Sequence, residues 1–380
     1  MAISDNKDAI IQIDPYESSP FILQETSSQN SSNKVQELPK SSNFKMPASS
    51  PYLKFCTKNI INTKISSVQT TRIGQILNPA SKTAVLIISG NPGCTDMYGP
   101  MANQIFRQFH YNIFTIGNYG HSADCIEKYQ SFEQTIINQV QHKIDFIDQF
   151  LLSDPNEFDN IILIGHSIGA YCITELLYHY FSNKKISGKT FVKFKKGLLM
   201  TPTIELIGNS KQGQDMLNPN SWFNYQLKIQ YLLVKILGFI PFLTTIICWL
   251  VTAISFKTVN FSKTGNNFAS YQYQGLLQTS HHLVIKNCSE MGLDEMKTMP
   301  GLKIDQINQM TKANPRLFYA FYSKVDGWVN SYAKEQMEKN CKEVETKMEK
   351  NMIHGWCCDE VYNSKITEEC IEKIAELRLE

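Results

Sequence analysis

A serine between two glycines is the clearest chemical signal in the sequence. Gly165, Ser167 and Gly169 form a Gly-x-Ser-x-Gly motif, which follows the apolar run 161–164 and precedes a helix-like segment. In a nucleophile elbow a strand delivers the serine to a sharp turn, and small residues let the next helix start close to that strand. The pattern therefore predicts that the hydroxyl of Ser167 is an exposed nucleophile. A Gly-rich connection whose serine caps the helix is the alternative interpretation.

The late part of the chain offers a base and a carboxylate for this serine. Imidazole suits the base because it titrates near neutral pH, and a carboxylate holds the ring in the required tautomer. Asp326 follows the apolar segment 316–322, and His354 is the only histidine after it. The order Ser167, Asp326, His354 is that of the α/β-hydrolase fold and differs from the orders in trypsin and subtilisin. Asp326 as a helix cap remains an open alternative.

The other histidines are less suitable as the base. His166 flanks the serine and is expected to pack beside the sheet, on the wrong side of the strand. His121 lies in a loop that precedes the serine, where it is either structural or part of the pocket wall. His281 and His282 lie in a long insertion and are expected at the surface or in a lid.

Two backbone N–H groups are predicted to form an oxyanion hole. Asn91 lies in the Gly- and Pro-rich loop 89–93, directly after the apolar run 82–88. Open α/β sheets place ligands at such a strand end, and in serine hydrolases the equivalent loop donates one N–H to the oxyanion. Asn91 is therefore the predicted first donor, and Ile168, which follows the nucleophile, is the second. An ordinary tight turn at 89–93 is an equal alternative.

Apolar runs and helical stripes alternate along the chain. The predicted buried strands are residues 82–88, 112–116, 161–164, 196–200 and 316–322, with two edge strands between residues 55 and 76. Between these runs apolar residues recur at helical spacing. A polar helix is predicted from residue 331 to about 350, and an amphipathic helix ends the chain at 366–377. This alternation predicts an α/β fold, with a mainly parallel sheet and helices on both faces.

A large hydrophobic cap is expected to interrupt the alternation at about residues 203–315. Within it, segment 231–256 carries no charge after Lys235 and is long enough to span a bilayer. Gly238 and Pro241 interrupt this segment, and both of its ends must lie on the side where the sheet continues. We therefore expect monotopic insertion into a lipid surface, with a buried lid helix or a true span as alternatives.

Composition limits the remaining function classes. The 380 residues carry a net charge of +2, which gives no electrostatic case for nucleic acid. Ten scattered cysteines form no CxxC pair, so we predict reduced thiols, no metal site and no cofactor. The polar start predicts no signal peptide. Residues 1–50 are polar and low in complexity, which predicts a disordered tail before a hydrolase domain over residues 51–380.

The motifs together resemble one known family. Gly-Asn-Pro-Gly at 90–93, Gly-His-Ser-Ile-Gly-Ala-Tyr at 165–171, Asp-Gly-Trp-Val at 326–329 and the late histidine look like the lipid droplet-associated hydrolase family. The resemblance runs from about Val85 to His354. It implies an α/β-hydrolase with serine ester hydrolase activity on stored lipids, such as sterol esters or acylglycerols. It also implies a hydrophobic cap stretch that targets lipid droplets and the endoplasmic reticulum.

The predicted function is accordingly a serine lipase or esterase at a lipid surface. By motif, the resemblance assigns the nucleophile to Ser167, the acid to Asp326 and the base to His354. The predicted partners are a lipid ester and, through residues 231–256, the surface of a lipid droplet or the cytosolic face of the endoplasmic reticulum membrane. Two alternatives remain: a catalytically weak or inactive droplet protein, and a soluble acyl-thioesterase or peptidase of the same fold.

Overall fold

The described part of the chain covers the sheet, its helices and most of the expected cap. The computed structural model describes residues 56–57, 72–123, 126, 133–154, 156–183, 188–238, 241–255 and 268–379. The tail predicted at residues 1–50 lies outside these residues, as do residues 58–71, which fall in the stretch where the two edge strands were predicted.

Eight strands form one sheet within the described residues. They are β1 Cys56–Thr57, β2 Ile73–Ile76, β3 Thr83–Ile88, β4 Asn112–Ile116, β5 Asn160–His166, β6 Phe194–Met200, β7 Phe318–Ser323 and β8 Glu345–Glu349. The order across the sheet is β1-β2-β4-β3-β5-β6-β7-β8. Strand β2 pairs antiparallel with β1 and β4, and the other neighbouring pairs are parallel. The predicted mainly parallel sheet is confirmed.

Helices cover both faces of the sheet. They are α1 Gly99–Phe109, α2 Ile136–Phe146, α3 Ile168–Ser182, α4 Gly188–Val192, α5 Lys211–Leu217, α6 Trp222–Leu237, α7 Pro241–Ser255, α8 Phe268–Thr279, α9 His282–Thr298, α10 Ile304–Ala313, α11 Ala333–Asn340 and α12 Glu360–Ala375. Along β3, Ala84, Leu86 and Ile88 face a core that includes α2 and α3. Val85 and Ile87 face the opposite core, which includes α1 and α12. A central strand covered on both sides has no polar face, which explains its continuous apolar sequence.

One predicted element was partly wrong. The polar helix expected from residue 331 to about 350 ends at Asn340, and the chain then forms β8 at the edge of the sheet. The sequence Glu-Thr-Lys-Met-Glu of β8 carries no apolar run because an edge strand with exposed side chains has little surface to bury. Its polar composition therefore resembled the preceding helix.

The helices from α5 to α10 lie between β6 and β7, where the cap was expected. Helix α6 ends at Leu237 and α7 begins at Pro241, so the described part of segment 231–256 consists of two helices. The break falls where Gly238 and Pro241 interrupt the apolar sequence. Among the described residues, no helix combines the length and the apolar character that crossing a membrane requires.

Candidate active site

Ser167 lies at a strained turn between β5 and α3. Its φ of 55° and ψ of −123° are unusual for a residue with a side chain. A Cβ on Gly165 would lie 2.6 Å from the backbone of Gly169, and a Cβ on Gly169 would lie 2.4 Å from the carbonyl oxygen of Ile88. Both motif glycines are therefore required for the close approach of strand and helix. The serine directly precedes α3 and its side chain accepts no capping hydrogen bond from that helix, which argues against the helix-cap interpretation.

His354 and Asp326 meet Ser167 at the carboxyl ends of the parallel strands. Nε2 of His354 is 2.8 Å from Oγ of Ser167, and Nδ1 is 2.6 Å from Oδ2 of Asp326. The other carboxylate oxygen accepts the N–H groups of Trp328 at 2.8 Å and Val329 at 3.3 Å. The three predicted residues thus form a continuous hydrogen-bonded chain.

The hydrogen-bond partners and the burial of these three residues indicate where their protons lie. The side chain of Asp326 is fully buried, whereas the ring of His354 is 15% exposed. A carboxylate only accepts hydrogen bonds, so Nδ1 of His354 carries a proton and donates a hydrogen bond to Asp326. Nε2 is then free to accept the proton of the Ser167 hydroxyl, which is the arrangement that general-base activation requires.

The predicted oxyanion donors lie beside the serine. A Cβ on Gly90 would lie 3.0 Å from Cβ of Ser167, so the loop of residues 90–93 runs directly along the nucleophile. In the described part of the chain the N–H groups of Asn91 and Ile168 have no protein acceptor. Ile168 begins α3, where backbone N–H groups and the helix dipole favour negative charge. The oxyanion role of Asn91 and Ile168 stays a prediction.

The 90–93 loop is anchored to the rest of the protein by side chains. Nδ2 of Asn91 donates to the carbonyl oxygen of Cys288 at 2.9 Å and to Glu295 at 3.4 Å, both on α9. Burial raises the pKa of Glu295 to about 8, so this carboxyl is protonated at neutral pH. Nδ2 of Asn118 donates to the carbonyl oxygen of Gly90 at 3.1 Å. The loop is therefore held in one conformation from both sides.

The other histidines fall outside the triad. His121 is buried behind the loop, where Nδ1 lies 2.9 Å from the carbonyl oxygen of Pro92, and burial lowers its pKa to about 3. These contacts favour the first of the two alternatives for His121, a structural role, over a place in the pocket wall. His281 directly precedes α9, and its Nδ1 accepts the N–H of Leu283. His166 bonds to neighbours that its position in the motif did not reveal, and these are described below.

Two neighbours of the triad were missed by sequence reasoning. Oγ1 of Thr203, which follows β6, lies 3.5 Å from Oγ of Ser167. The ring of Trp328 lies 6.3 Å from the ring of His354. Both residues follow strands at the edge where the triad forms, so their position after a predicted strand was the available signal.

Comparison with known proteins supports a family assignment. The sequence pattern of the lipid-droplet associated hydrolase family matches residues 81–357. The chain belongs to this family. It is 28% identical over 285 residues to the lipid droplet-associated hydrolase of Drosophila melanogaster, covering 72% of this chain and 82% of that protein. The lipid droplet-associated hydrolase of Homo sapiens is 25% identical over 291 residues, covering 72% of this chain and 80% of that protein.

Solved structures support the fold. One from a study of carboxylesterases of Nitrososphaera gargenis has a TM-score of 0.52 at 10% identity, and covers 82% of this chain and 96% of its own. An esterase from Exiguobacterium antarcticum has a TM-score of 0.51 at 13% identity, with 84% and 99% covered. At such low identity these structures show the fold alone. The predicted family and the predicted α/β-hydrolase fold are confirmed, and with its family the chain is a hydrolase.

Proposed function

We propose that this protein is a serine ester hydrolase whose nucleophile, base and acid are Ser167, His354 and Asp326. The observation that carries the proposal is the pair of hydrogen bonds from His354, at 2.8 Å to the serine hydroxyl and 2.6 Å to the carboxylate. Membership of a hydrolase family supports the reaction class. The strained turn at Ser167 adds to this, because such turns place a nucleophile above the sheet.

Acylation follows from this geometry. Oγ of Ser167 attacks the ester carbonyl carbon while its proton moves to Nε2 of His354. Asp326 stabilises the imidazolium, and the N–H groups of Asn91 and Ile168 are the proposed donors to the oxyanion. When the tetrahedral intermediate collapses, the bond to the alcohol oxygen breaks and His354 returns the proton to that oxygen. The alcohol leaves, and the acyl group stays on the serine.

Deacylation repeats the same steps with water. His354 takes a proton from the water molecule while its oxygen attacks the acyl carbon. Oγ of Ser167 then leaves as the second tetrahedral intermediate collapses, and it recovers the proton from His354. A carboxylic acid is released. The scheme uses only protein groups and water.

We further propose that α6 and α7 dock on a lipid droplet or on the cytosolic face of the endoplasmic reticulum membrane. The exposed apolar side chains of α6 recur at helical spacing, with Trp222, Tyr225, Ile229, Leu232, Leu233 and Ile236 each at least half exposed. Among the described side chains of α7, the exposed apolar ones are Leu243, Trp249, Leu250 and Val251. Lys228 and Lys235 lie over the rings of tyrosines on α6. An exposed apolar stripe with aromatic residues and flanking lysines suits a lipid interface.

The position of α6 supports lipid esters as substrates. Phe223, in its first turn, packs against Trp328 at a ring distance of 5.8 Å, and Trp328 in turn lies near His354. The first turn of α6 therefore lies near the proposed triad, and we propose that a water-insoluble ester reaches the serine from this side. The names of the relatives add to this support. Sterol esters and acylglycerols are the proposed class, with residues 203–315 as the cap.

The first experiment tests the nucleophile. Wild type and Ser167→Ala are treated with a fluorophosphonate probe and assayed on a panel of lipid esters, both as emulsions and in solution. We expect labelling and hydrolysis in wild type, and loss of both in the variant. A folded wild-type protein that neither reacts with the probe nor hydrolyses any ester would instead be a droplet protein that has kept a hydrolase fold.

The second experiment tests the surface. Deletion of residues 231–256 is expected to abolish association with lipid droplets, while hydrolysis of a short soluble ester continues. Unchanged droplet or membrane association would contradict the docking proposal. Turnover confined to soluble thioesters or peptides would favour a soluble enzyme of this fold.

A further inference from the structure

His166, the residue before the nucleophile, is hydrogen-bonded at both ring nitrogens. Nδ1 lies 2.6 Å from the hydroxyl of Tyr98, and Nε2 lies 2.8 Å from the backbone carbonyl oxygen of His354. The hydroxyl of Tyr98 also accepts the N–H of Gly90 at 3.1 Å. A chain of three hydrogen bonds therefore connects the 90–93 loop with the backbone of the base.

The donor and acceptor roles in these three hydrogen bonds follow from the groups at the two ends, the carbonyl oxygen of His354 and the N–H of Gly90. The carbonyl oxygen of His354 only accepts, so Nε2 of His166 carries a proton. In the neutral ring Nδ1 is then an acceptor, and the hydroxyl of Tyr98 donates a hydrogen bond to it. The oxygen of Tyr98 remains free to accept the N–H of Gly90. Burial lowers the pKa of His166 to about 3, so the ring is neutral at physiological pH and this single arrangement persists.

Trp356 shields these three hydrogen bonds from water. This residue is fully buried, and its ring lies 4.9 Å from the ring of His166 and 5.9 Å from that of Tyr98. Tyr98 and His166 are themselves 3% and 5% exposed. Hydrogen bonds in such a dry environment are stronger than in water, and a partner left unpaired there is costly.

We propose that Tyr98 and His166 are positioning residues, which fix the distance between the backbone of His354 and the 90–93 loop. At one end of this hydrogen-bonded series is the backbone of His354, the proposed base, and at the other end is the loop proposed to bind the oxyanion. Neither residue touches the triad side chains with a hydrogen bond, so both act through the backbone. The inference deepens the proposed function and rests on it.

The test uses three substitutions in the full-length chain. Tyr98→Phe removes the hydroxyl and leaves the N–H of Gly90 and Nδ1 of His166 unpaired. His166→Phe removes both ring nitrogens and keeps an aromatic ring, whereas His166→Gln restores a donor toward the carbonyl oxygen of His354. We expect Tyr98→Phe and His166→Phe to lower kcat about ten- to hundredfold with KM within about twofold, and His166→Gln to recover much of the loss.

Tyr322→Phe is the matched control. Its hydroxyl is also buried but has no hydrogen-bond partner among the described residues. Tyr322 lies on β7 in one hydrophobic core, whereas Tyr98 and Trp356 belong to the core on the other face of the sheet. The control should keep wild-type kcat. Equal losses of kcat in Tyr322→Phe and Tyr98→Phe would show that removal of any buried hydroxyl disturbs the enzyme, and would overturn the inference.

A second measurement separates positioning from turnover. A short hydrogen bond such as that between Nδ1 of His354 and Asp326 is expected to give a far-downfield proton NMR signal, and this readout does not depend on turnover. We expect this signal in wild type and in Tyr322→Phe, and its loss or displacement in His166→Phe. An unchanged signal and unchanged kcat in His166→Phe would refute the positioning role. A wild type without turnover whose signal still depends on His166 would refute the proposed function alone.

Discussion

Asp326→Asn provides the sharpest test of the proposed triad, because the structure dictates how the new amide must lie. One oxygen of Asp326 accepts the N–H groups of Trp328 and Val329, at 2.8 and 3.3 Å. An amide nitrogen in that position would oppose two donors, at a cost of roughly 1–3 kcal/mol for each. The oxygen of the asparagine therefore stays there, and its NH₂ group takes the place of Oδ2, beside His354.

The amide then reverses the proton positions of the base. An NH₂ group only donates, so Nδ1 of His354 must become the acceptor and the ring proton moves to Nε2. Nε2 can no longer accept the proton of Ser167. The wrong tautomer in a triad costs roughly 10⁴-fold in kcat, which is on the order of 5 kcal/mol of transition-state stabilisation. We expect a loss of this size for Asp326→Asn, in ester turnover and in the rate of fluorophosphonate labelling.

Asp359→Asn is the matched control for this substitution. The carboxylate of Asp359 also accepts two backbone N–H groups, those of Val361 and Tyr362, but at the start of α12. Asparagine caps helices about as well as aspartate, so we expect wild-type turnover and a similar melting temperature. Retention of more than a tenth of wild-type kcat in folded Asp326→Asn would refute the tautomer argument.

Three further predictions concern the turn, the buried charge and the surface. Gly169→Ala places a Cβ 2.4 Å from a backbone carbonyl oxygen of β3, and should lower the free energy of unfolding by about 3 kcal/mol, measured by denaturant titration. Burial lowers the pKa of Lys143 to about 7, so between about pH 7 and 10.5 the unfolded protein binds more protons than the folded protein. The free energy of unfolding should therefore rise with pH in this range, and Lys143→Met should flatten the rise. Leu232→Asp with Leu233→Asp should release the protein from lipid droplets in a flotation assay without loss of soluble ester hydrolysis. Val361→Asp, at an even more exposed apolar site on α12, should not release it.

The parts that the sequence predicted are those whose signal is local. The elbow follows from five consecutive residues around Ser167, and the buried strands follow from continuous apolar runs. Asp326 followed from its position after a predicted strand, and His354 followed because it is the only histidine after Asp326. Strand β8 was missed because an edge strand with polar side chains lacks such a run.

Contacts between distant segments carried no such signal. Tyr98 and His166 are separated by 68 positions, and their hydrogen bond exists because β3 and β5 are neighbours in the sheet. Helical periodicity says nothing about the environment of Lys143, yet its amino group is buried and donates hydrogen bonds to Gly117, Asn118 and Gln139. Polar residues of this kind are assigned a partner by the topology, and hydrophobic periodicity does not report on them.

The loop that carries Asp326 is where the proposed cap contacts the proposed triad. A Cβ on Gly327 would lie 1.8 Å from the side chain of Gln212 on α5, and the N–H of Gln212 donates to the carbonyl oxygen of Gly327 at 3.1 Å. Trp328, the next residue, packs against Phe223 of α6. Removal of residues 203–315 would therefore expose the loop that holds Asp326 and abolish activity for a structural reason. A deletion confined to residues 231–256 leaves both contacts in place, so of these two deletions it is the one that separates lipid docking from catalysis.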